Sequence, residues 1–303
     1  MPIPCYPEFV PIGLELKNEL HPRLSLTPDG VSEFTFSNLY LFRRRYHYRV
    51  SMGADGIFII SGEKDGKKFF MTPCAAPERQ ILDALFGDHD YWKNISESVL
   101  EAERENLDRW GIEYREDRDN FDYLYLRTDL ANLEGKKYHK KRNLVNTFSN
   151  TYPKHRMEAL NRDIVRDAME VLENWKTERG KEGDYAAARE ALELYGILNL
   201  KGSVFYIDEK PAGWCLGESI AKGRSFAVHF EKALDEYKGI YQYMNQAFAA
   251  SLPRFFTWIN REQDLGDPGL RQAKETYRPC GYVRKYTAVK NGTSTSSSNH
   301  RLQ

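Results

Sequence analysis

The sequence has few cysteines, and none of them form the pairs that mark metal or disulfide sites. The four cysteines are Cys5, Cys74, Cys215 and Cys280. They lie far apart and form no CxxC motif, which argues against a zinc site or a disulfide framework. We therefore predict free thiols and no metal site.

Long hydrophobic runs are also absent. No stretch approaches the ~20 apolar residues that a membrane-spanning helix needs. The N-terminus, MPIPCYPEFVPIGLEL, lacks the basic segment and apolar run that are typical of a signal peptide. We therefore expect a cytoplasmic protein without a transmembrane segment.

The chain has no excess of charge of either sign, with 44 basic and 44 acidic side chains in 303 residues. A dedicated nucleic-acid binder normally needs a basic surplus, because phosphate contacts supply most of the affinity. The balance argues against DNA binding but permits a local basic patch that binds one end of an RNA. Motifs for nucleotide P-loops, dinucleotide sites and serine hydrolases are absent, so we expect no tightly bound cofactor.

What the chain does contain is typical of a globular α+β protein. Its apolar fraction is 41%, and it has 19 Tyr and 16 Phe, which suits mixed sheets packed against helices. A length of 303 residues fits two domains of ~150 residues each. We predict an N-terminal domain over residues 1–150, a C-terminal domain over 151–290 and a flexible tail over 291–303.

Turn residues and apolar periodicity place the main elements. In the first half, strands are predicted at 46–52, 57–61, 68–72 and 123–126, with helices after residue 77 and over 96–109. The second half begins with an amphipathic helix over 160–175. Strands are predicted there at 203–207, 213–218, 225–230, 255–259 and 283–289. Asp267 and Pro268 form a strong helix start, since they supply an N-cap and a first-turn proline.

Several segments resemble known proteins. The hairpin GSVFYIDEKPAGWCLGE resembles the GNAT superfamily of N-acyltransferases. FSNLYLFRRRYHYRV, FDYLYLRTDLANLEGKKYHKKRN and FFTWINREQDLGDPGLRQAKETYRP resemble the family of the phosphatidylglycerol lysyltransferase C-terminal domain. The likeness covers most of residues 30–290. It implies an α+β fold of two tandem GNAT-like domains, each a mixed, mostly antiparallel sheet flanked by helices, similar to Fem-type aminoacyl transferases.

The resemblance also implies an activity, which is transfer of an aminoacyl group to an amine or hydroxyl acceptor. The donor implied is an aminoacyl-tRNA. The full-length lipid-modifying relatives carry a membrane domain, and this chain has none, so we do not expect a phospholipid acceptor.

Two alternatives remain open. One is an acyl-CoA-dependent N-acyltransferase, although the segment EYKGIY at 236–241 keeps only Gly239 of the loop that holds the coenzyme A pyrophosphate at a helix N-terminus. The other is a catalytically inactive GNAT-like binding module.

Candidate catalytic residues follow from the chemistry of acyl transfer, which needs a general base and a stabilised oxyanion. Glu218 ends one strand of the hairpin, and His229 and Glu231 end the next. In a GNAT-like sheet these strand ends flank a cleft, so any of the three could supply the base. The alternative is a solvated carboxylate and a hydrogen-bonded core histidine.

The run NREQDLGDPGLRQAK at 260–274 supplies the candidate substrate-binding residues Asn260, Glu262, Asp264, Arg271 and Lys274. Arg271 and Lys274 lie about one turn apart on the predicted helix and could together hold donor phosphates. The alternative is a strand–loop–helix connection with surface ion pairs.

The segment KKYHKKRN at 136–143 is the best nucleic-acid feature. Lys137, Lys140, Lys141 and Arg142 could bind phosphates of a tRNA acceptor end, with Tyr138 as a stacking surface. A solvated helix face is the alternative.

Overall fold

The computed structural model describes residues 2–179 and 183–290, which form two compact units. Among these residues, unit 1 contains 2–19, 43–118 and 284–290, and unit 2 contains 20–42, 119–179 and 183–283. This division differs from the predicted boundary at residue 150. The physical reason is that two strands exchange between the halves of the chain. The strand at residues 122–126 joins the sheet of unit 2, and the strand at residues 285–290 joins the sheet of unit 1. The predicted tail of residues 291–303 lies outside the described residues.

The strands of the described ranges, in chain order, are β1 (Val10–Pro11), β2 (Arg49–Met52), β3 (Phe58–Lys64), β4 (Lys67–Met71), β5 (Tyr91–Ser96), β6 (Ile112–Glu116), β7 (Asp122–Leu126), β8 (His155–Ala159), β9 (Lys201–Ile207), β10 (Lys210–Ile220), β11 (Ser225–Ala233), β12 (Trp258–Asn260), β13 (Gly281–Val283) and β14 (Lys285–Lys290).

The α-helices of the same ranges are α1 (Lys17–Leu24), α2 (Phe36–Leu41), α3 (Arg43–Tyr46), α4 (Arg79–Asp88), α5 (Glu97–Arg109), α6 (Arg127–Asn132), α7 (His139–Thr151), α8 (Val165–Arg179), α9 (Tyr185–Leu194), α10 (Ile240–Ser251) and α11 (Pro268–Glu275).

The two sheets have seven strands each and the same pairing pattern. Unit 1 has the order β1-β2-β3-β4-β5-β14-β6, and unit 2 has the order β8-β9-β10-β11-β12-β7-β13. In each sheet the fourth and fifth strands pair in parallel and all other neighbours pair antiparallel. The sixth strand of each sheet comes from the other half of the sequence, β14 in unit 1 and β7 in unit 2. The predicted α+β class with two mixed sheets is confirmed.

Aromatic side chains fill the core of each unit. In unit 1, the rings of Phe70 and Trp92 stack at 5.7 Å between centroids on the parallel strand pair β4–β5. In unit 2, Phe226 of β11 packs edge-on against Phe248 of α10 at 5.5 Å. On the same sheet, α8 packs against β10 and β11. These cores fix the backbone of the parallel strands, where the candidate site lies.

Two elements of unit 2 begin later than predicted. The helix predicted over 160–175 begins only at Val165, because residues 155–159 pair with β9 as strand β8 and Asn161 Oδ1 accepts the N–H of Asp163 at 2.8 Å. The strand predicted over 255–259 corresponds to β12, which begins only at Trp258. A turn precedes it, closed by the hydrogen bond from the Phe256 N–H to the Pro253 carbonyl oxygen.

Candidate functional site

The sheet of unit 2 opens between its parallel strands β11 and β12. Their pairing covers three residues and ends at Ala227 and Asn260, whereas β11 continues to Ala233. After Asn260 the chain enters the loop of residues 261–267, which leads to α11. We call this opening the strand fork. Most of the predicted catalytic and substrate-binding residues lie on its arms or in the loop that leaves it.

A β-bulge in β11 turns His229 toward β10. Leu216 of β10 lies opposite Phe230, but Gly217 lies opposite Val228, so His229 is an extra residue in β11. Bulges re-aim individual side chains and are frequent beside functional sites. Glycine is required at position 217, because a Cβ there would lie 1.9 Å from a backbone oxygen of β11.

His229 lies between two carboxylates, an arrangement that we call the Glu–His–Glu triad. Its Nε2 is 3.0 Å from Glu218 Oε1, and its Nδ1 is 2.7 Å from Glu262 Oε1. The His229 side chain is 1% exposed, and Glu262 is the most exposed member of the triad at 17%. Burial lowers the pKa of His229, but hydrogen bonds and charge interactions with both carboxylates outweigh it and raise this pKa to about 10. The ring is therefore an imidazolium at neutral pH, and it donates to both carboxylates.

Lys274 of α11 holds the loop that carries Glu262. Its ammonium donates to the carbonyl oxygens of Arg261 at 2.5 Å, Glu262 at 3.0 Å and Gln263 at 2.7 Å, which uses all of its protons. Glu262 has a left-handed φ of 55°, and its N–H donates to Asn260 Oδ1 at 2.7 Å. Burial and the Arg261 charge lower the pKa of Lys274 to about 8. These contacts position Glu262 and occupy all three ammonium protons. The phosphate-binding role that the sequence predicts for Lys274 stays a prediction.

Asp264 and Arg271 form an ion pair within the same connection. Nε and Nη2 of Arg271 donate to the Asp264 carboxylate at 2.9 and 2.8 Å, and the Tyr123 hydroxyl donates at 2.6 Å. Burial raises the pKa of Asp264, but the hydrogen bonds from Arg271, Tyr123 and the Gly266 N–H outweigh it and hold this pKa well below its usual range. Arg271 also donates to Asp119 at 2.7 Å. Its guanidinium therefore binds two carboxylates. The phosphate-binding role that the sequence predicts for Arg271 also stays a prediction.

Asn260 is fully buried in a polar network beside the fork. Its Nδ2 donates to the Gly30 carbonyl at 3.0 Å and to Asp122 at 3.1 Å. The N–H and hydroxyl of Ser32 donate to the same carboxylate, both at 2.9 Å. These contacts tie residues 30–32 to β7 and β12. The amide of Asn260 thus has internal partners, and its predicted role in substrate binding stays a prediction.

A small cavity lies between β10, β11, β12 and α10, and we call it the fork cavity. It has room for about one water molecule. Its lining residues are Leu130, Cys215, Val228, Glu231, Met244, Asn245, Phe248 and Ile259.

Glu231 is the acidic group of the fork cavity. Its Oε2 accepts from Arg261 Nη2 at 2.5 Å, whereas Oε1 is buried and has no hydrogen-bond partner in the described part of the chain. With its amide oxygen turned to Arg261, Asn245 accepts from Nη1 at 2.8 Å and from Nε at 3.2 Å. Cys215 lies opposite Glu231 in the sheet, and burial raises the pKa of its thiol. Glu231 thus has one carboxylate oxygen fixed by a cation and one oxygen free to accept.

Sequence reasoning missed Arg261, Asn245 and Cys215 as site residues. An unbroken hairpin register from Ile220 and Ser225 would place Cys215 opposite Phe230, and only the bulge brings it opposite Glu231. No local signal marks that bulge. Arg261 stands inside the run at 260–274, and its position beside Glu262 was the one available signal.

The cations of the basic segment at 136–143 differ in what they contact: some make local contacts, and one lies near the site. Lys137 donates to Asp129 at 2.8 Å, and Arg142 donates to the carbonyl oxygens of Leu133 and Gly135. Lys140 is exposed. The contacts of Lys137 and Arg142 stabilise the turn that precedes α7.

Lys141 alone among the four predicted cations lies near the fork residues. Its Nζ is 4.1 Å from the centroid of the Tyr277 ring, and the guanidinium carbon of Arg261 is 5.3 Å from the same centroid. Burial and the charge of Arg261 lower the pKa of Lys141. Two cations therefore share one aromatic ring next to Glu231.

The structure thus brings the predicted residues into three groups. Glu218, His229 and Glu262 form the triad, while Glu231 lies at the fork cavity with Arg261. The third group, which shapes the loop, is Asn260, Asp264, Arg271 and Lys274. In the described residues, no cluster of three or more His, Cys, Asp or Glu side chains is arranged to hold a metal ion. The same residues include no helix long and apolar enough to cross a membrane.

Solved structures share this fold. A conserved protein of unknown function from Bacteroides thetaiotaomicron is 28% identical, with a TM-score of 0.82 over 92% of this chain and 98% of that chain. L-PGS from Bacillus licheniformis is 14% identical, with a TM-score of 0.58 over 82% of this chain and 85% of that one. FemX is 10% identical, with a TM-score of 0.56 over 93% and 96%. These structures confirm the predicted fold of two tandem units, each a mixed, mostly antiparallel sheet flanked by helices.

Sequence comparison gives the family. An uncharacterised protein of Mycoplasmoides gallisepticum is 21% identical over 237 residues, which cover 73% of this chain and 74% of that protein. The sequence profile described as "Phosphatidylglycerol lysyltransferase, C-terminal" matches residues 25–289. The predicted resemblance is therefore confirmed, and the chain belongs to the phosphatidylglycerol lysyltransferase C-terminal family.

Proposed function

We propose that this chain is an aminoacyl transferase that moves an aminoacyl group from an aminoacyl-tRNA to an amine or hydroxyl acceptor. Membership of a family described by lysyl transfer supports this class of reaction. The observation that carries the proposal is the free Oε1 of Glu231 beside the fork cavity, where the sheet opens. A buried carboxylate oxygen without a donor costs free energy unless a ligand supplies one.

Glu231 is the proposed general base. The acceptor amine loses a proton to Oε1 as its nitrogen attacks the ester carbonyl of the donor. The C–O ester bond then breaks, and the protonated Glu231 returns the proton to the 3′ oxygen of the tRNA as it leaves. Arg261 and Asn245 hold the carboxylate in one orientation, which general-base catalysis requires. Glu218 and His229 were equally good candidates from the sequence. Their burial and their mutual hydrogen bonds favour a positioning role, in which the triad fixes Glu262 and its neighbour Arg261.

Lys141 is the proposed contact for a phosphate of the donor. Its ammonium lies over Tyr277 and near Arg261, so a second positive charge is present at the acidic site. A phosphate of the donor would match the ammonium of Lys141, while Glu231 remains available for the acceptor.

A direct assay tests the proposal. The purified chain is incubated with tRNA charged with each of the radiolabelled amino acids and with a panel of small amines and alcohols, and labelled product is measured. Glu231→Gln keeps the shape and removes the base, so the rate should fall at least about 100-fold. Glu170→Gln, an exposed change on α8, is the matched control. A Glu231→Gln rate within about threefold of the unmodified chain would remove Glu231 from catalysis.

The acyl-CoA alternative has less support. Gly239 has a φ of 90° at the N-terminus of α10, and a Cβ there would lie 2.9 Å from the Leu144 carbonyl oxygen. The glycine is thus explained by the close approach of α7, which lies where a pyrophosphate would need to enter. Thermal stabilisation by coenzyme A esters would favour this alternative.

A non-catalytic binding role is the second alternative. The fork cavity admits only about one water-sized group, which is small for a transferase site. Absence of label transfer with every donor, together with saturable binding of uncharged tRNA, would favour that role.

A further inference from the structure

Unit 2 has an open groove formed by α8, the end of α9 and the residues that follow α9. Its volume is about 720 Å³, within the range of roughly 300–1,000 Å³ for small-molecule pockets. None of its lining residues belongs to the strand fork or its loop.

The floor of the groove is apolar and partly exposed. Val165 and Met169 lie one turn apart on α8, and Tyr195 and Ile197 face them from the other side. Ile197 is 54% exposed, which is unusual for so large an aliphatic side chain. These side chains offer apolar area to a ligand with an apolar body.

The rim of the groove is cationic. Arg162 and Arg166 both line it. Arg166 has only a loose surface contact with Asp167 at 3.5 Å, and the Asp167 carboxylate also accepts from the Tyr206 hydroxyl at 2.7 Å. Two guanidinium groups next to an apolar floor select an anionic head group attached to an apolar body.

The rim also contains one carboxylate. Glu193 lines the groove and is paired with Arg189 at 3.0 Å. Because this carboxylate already has a cationic partner, the two arginines decide the charge of the ligand, which is anionic.

We propose that the groove binds a small apolar monocarboxylate, with its carboxylate on Arg162 and Arg166 and its apolar body on Met169 and Ile197. This site is independent of the proposed transferase activity, because it shares no residue with the fork.

Isothermal titration with hexanoate, octanoate and decanoate, each below its micelle concentration, tests the apolar floor. Affinity should rise about fourfold for each added methylene group. Decyl phosphate is measured alongside decanoate, and decyltrimethylammonium, which has the same chain and a cationic head group, should not bind. Equal affinity along the series, or binding of the cationic amphiphile as tightly as decanoate, would overturn the proposal. Tighter binding of decyl phosphate would overturn the assignment to a carboxylate.

Variants locate the ligand. The double change Arg162→Glu and Arg166→Glu should weaken decanoate binding at least tenfold, and Met169→Glu should abolish it. Arg254→Glu, the same type of substitution at another exposed arginine of unit 2, should leave binding unchanged. The thermal midpoint of each variant is measured alongside. Folded variants of the groove that bind decanoate like the unmodified chain would exclude this groove as the site.

Discussion

Each unit has a buried histidine beside the same kind of sheet, but the ring is neutral in unit 1 and positively charged in unit 2. In unit 1, His89 has neutral partners, with Nε2 2.8 Å from the Ser61 hydroxyl and Nδ1 2.9 Å from the Leu85 carbonyl oxygen. Burial lowers the pKa of His89, whereas the two carboxylates raise that of His229 to about 10. The neighbouring side chains, and not the sheet topology, therefore decide whether the ring is charged.

The source of the difference is the connection that follows the fifth strand of each sheet. In unit 1, β5 ends at Ser96 and α5 begins at Glu97, with no residue between them. In unit 2, residues 261–267 separate β12 from α11. This loop carries Arg261 to Glu231 and Glu262 to His229. One fold thus holds a neutral histidine in unit 1 and a charged polar site in unit 2, and only unit 2 has this loop.

Removing a carboxylate from the triad should give the largest effect on stability. Glu218→Ala leaves a buried imidazolium with one partner fewer, and breaking a buried ion pair costs about 3–5 kcal/mol. Ser61→Ala removes a neutral partner of His89 and should cost only about 1 kcal/mol. The free energies of unfolding come from urea titrations at pH 7.

The exposed change Glu170→Ala is the control and should stay within about 0.5 kcal/mol of the unmodified chain. If Glu218→Ala cost no more than Ser61→Ala, His229 would not be charged in the folded protein, and the contrast between the two units would fail.

The second prediction concerns pH. The folded-state pKa of His229, about 10, exceeds the unfolded value of about 6.5. Its contribution to stability is therefore complete below pH 6.5 and is lost as the pH rises toward 10, at up to about 1.4 kcal/mol per pH unit. His89 has a lowered pKa, so its contribution is present above pH 6.5 and is lost on acidification.

Between pH 6.5 and 8 the change in stability comes mainly from His229. As the pH rises through 8, Lys274 increasingly opposes it, because a folded-state pKa of about 8 lies below the unfolded value of about 10.4. His229→Gln should flatten the fall in stability between pH 6.5 and 8, and His89→Gln should leave it unchanged. Nitrogen chemical shifts at pH 7.5 should report an imidazolium for His229 and a neutral ring for His89. A neutral His229 would contradict the triad geometry.

Sequence patterns predicted the local elements better than their partners. The strands at 203–207 and 213–218 lie within β9 and β10, and the Asp267–Pro268 helix start is confirmed in α11. The strand at 123–126 was also predicted, but not its exchange into the sheet of unit 2 as β7. Strand partners are set by contacts distant in the sequence, and an alternating apolar pattern contains no information about them.

The candidate site was predictable in composition but not in grouping. Glu218, His229 and Glu262 were all selected as polar residues at strand ends or in loops, yet the sequence assigned Glu262 to a different group. Their association depends on the bulge at His229 and on the left-handed φ of 55° at Glu262. Neither feature has a local sequence signature, because a non-glycine residue adopts that conformation only when surrounding contacts hold it there.

The smallest predicted effect compares the helix starts after the two fifth strands. Asp267 Oδ1 accepts the Leu270 N–H at 2.7 Å in unit 2, whereas Ser96 Oγ accepts the Val99 N–H at 3.4 Å in unit 1. Asp267→Ala should cost about 1 kcal/mol and Ser96→Ala about 0.5 kcal/mol, since the aspartate cap is shorter and its charge favours a helix N-terminus. Asp267→Asn should retain most of the cap. Urea titrations of the three variants give these values, and a larger loss for Ser96→Ala than for Asp267→Ala would contradict this ranking of the two caps.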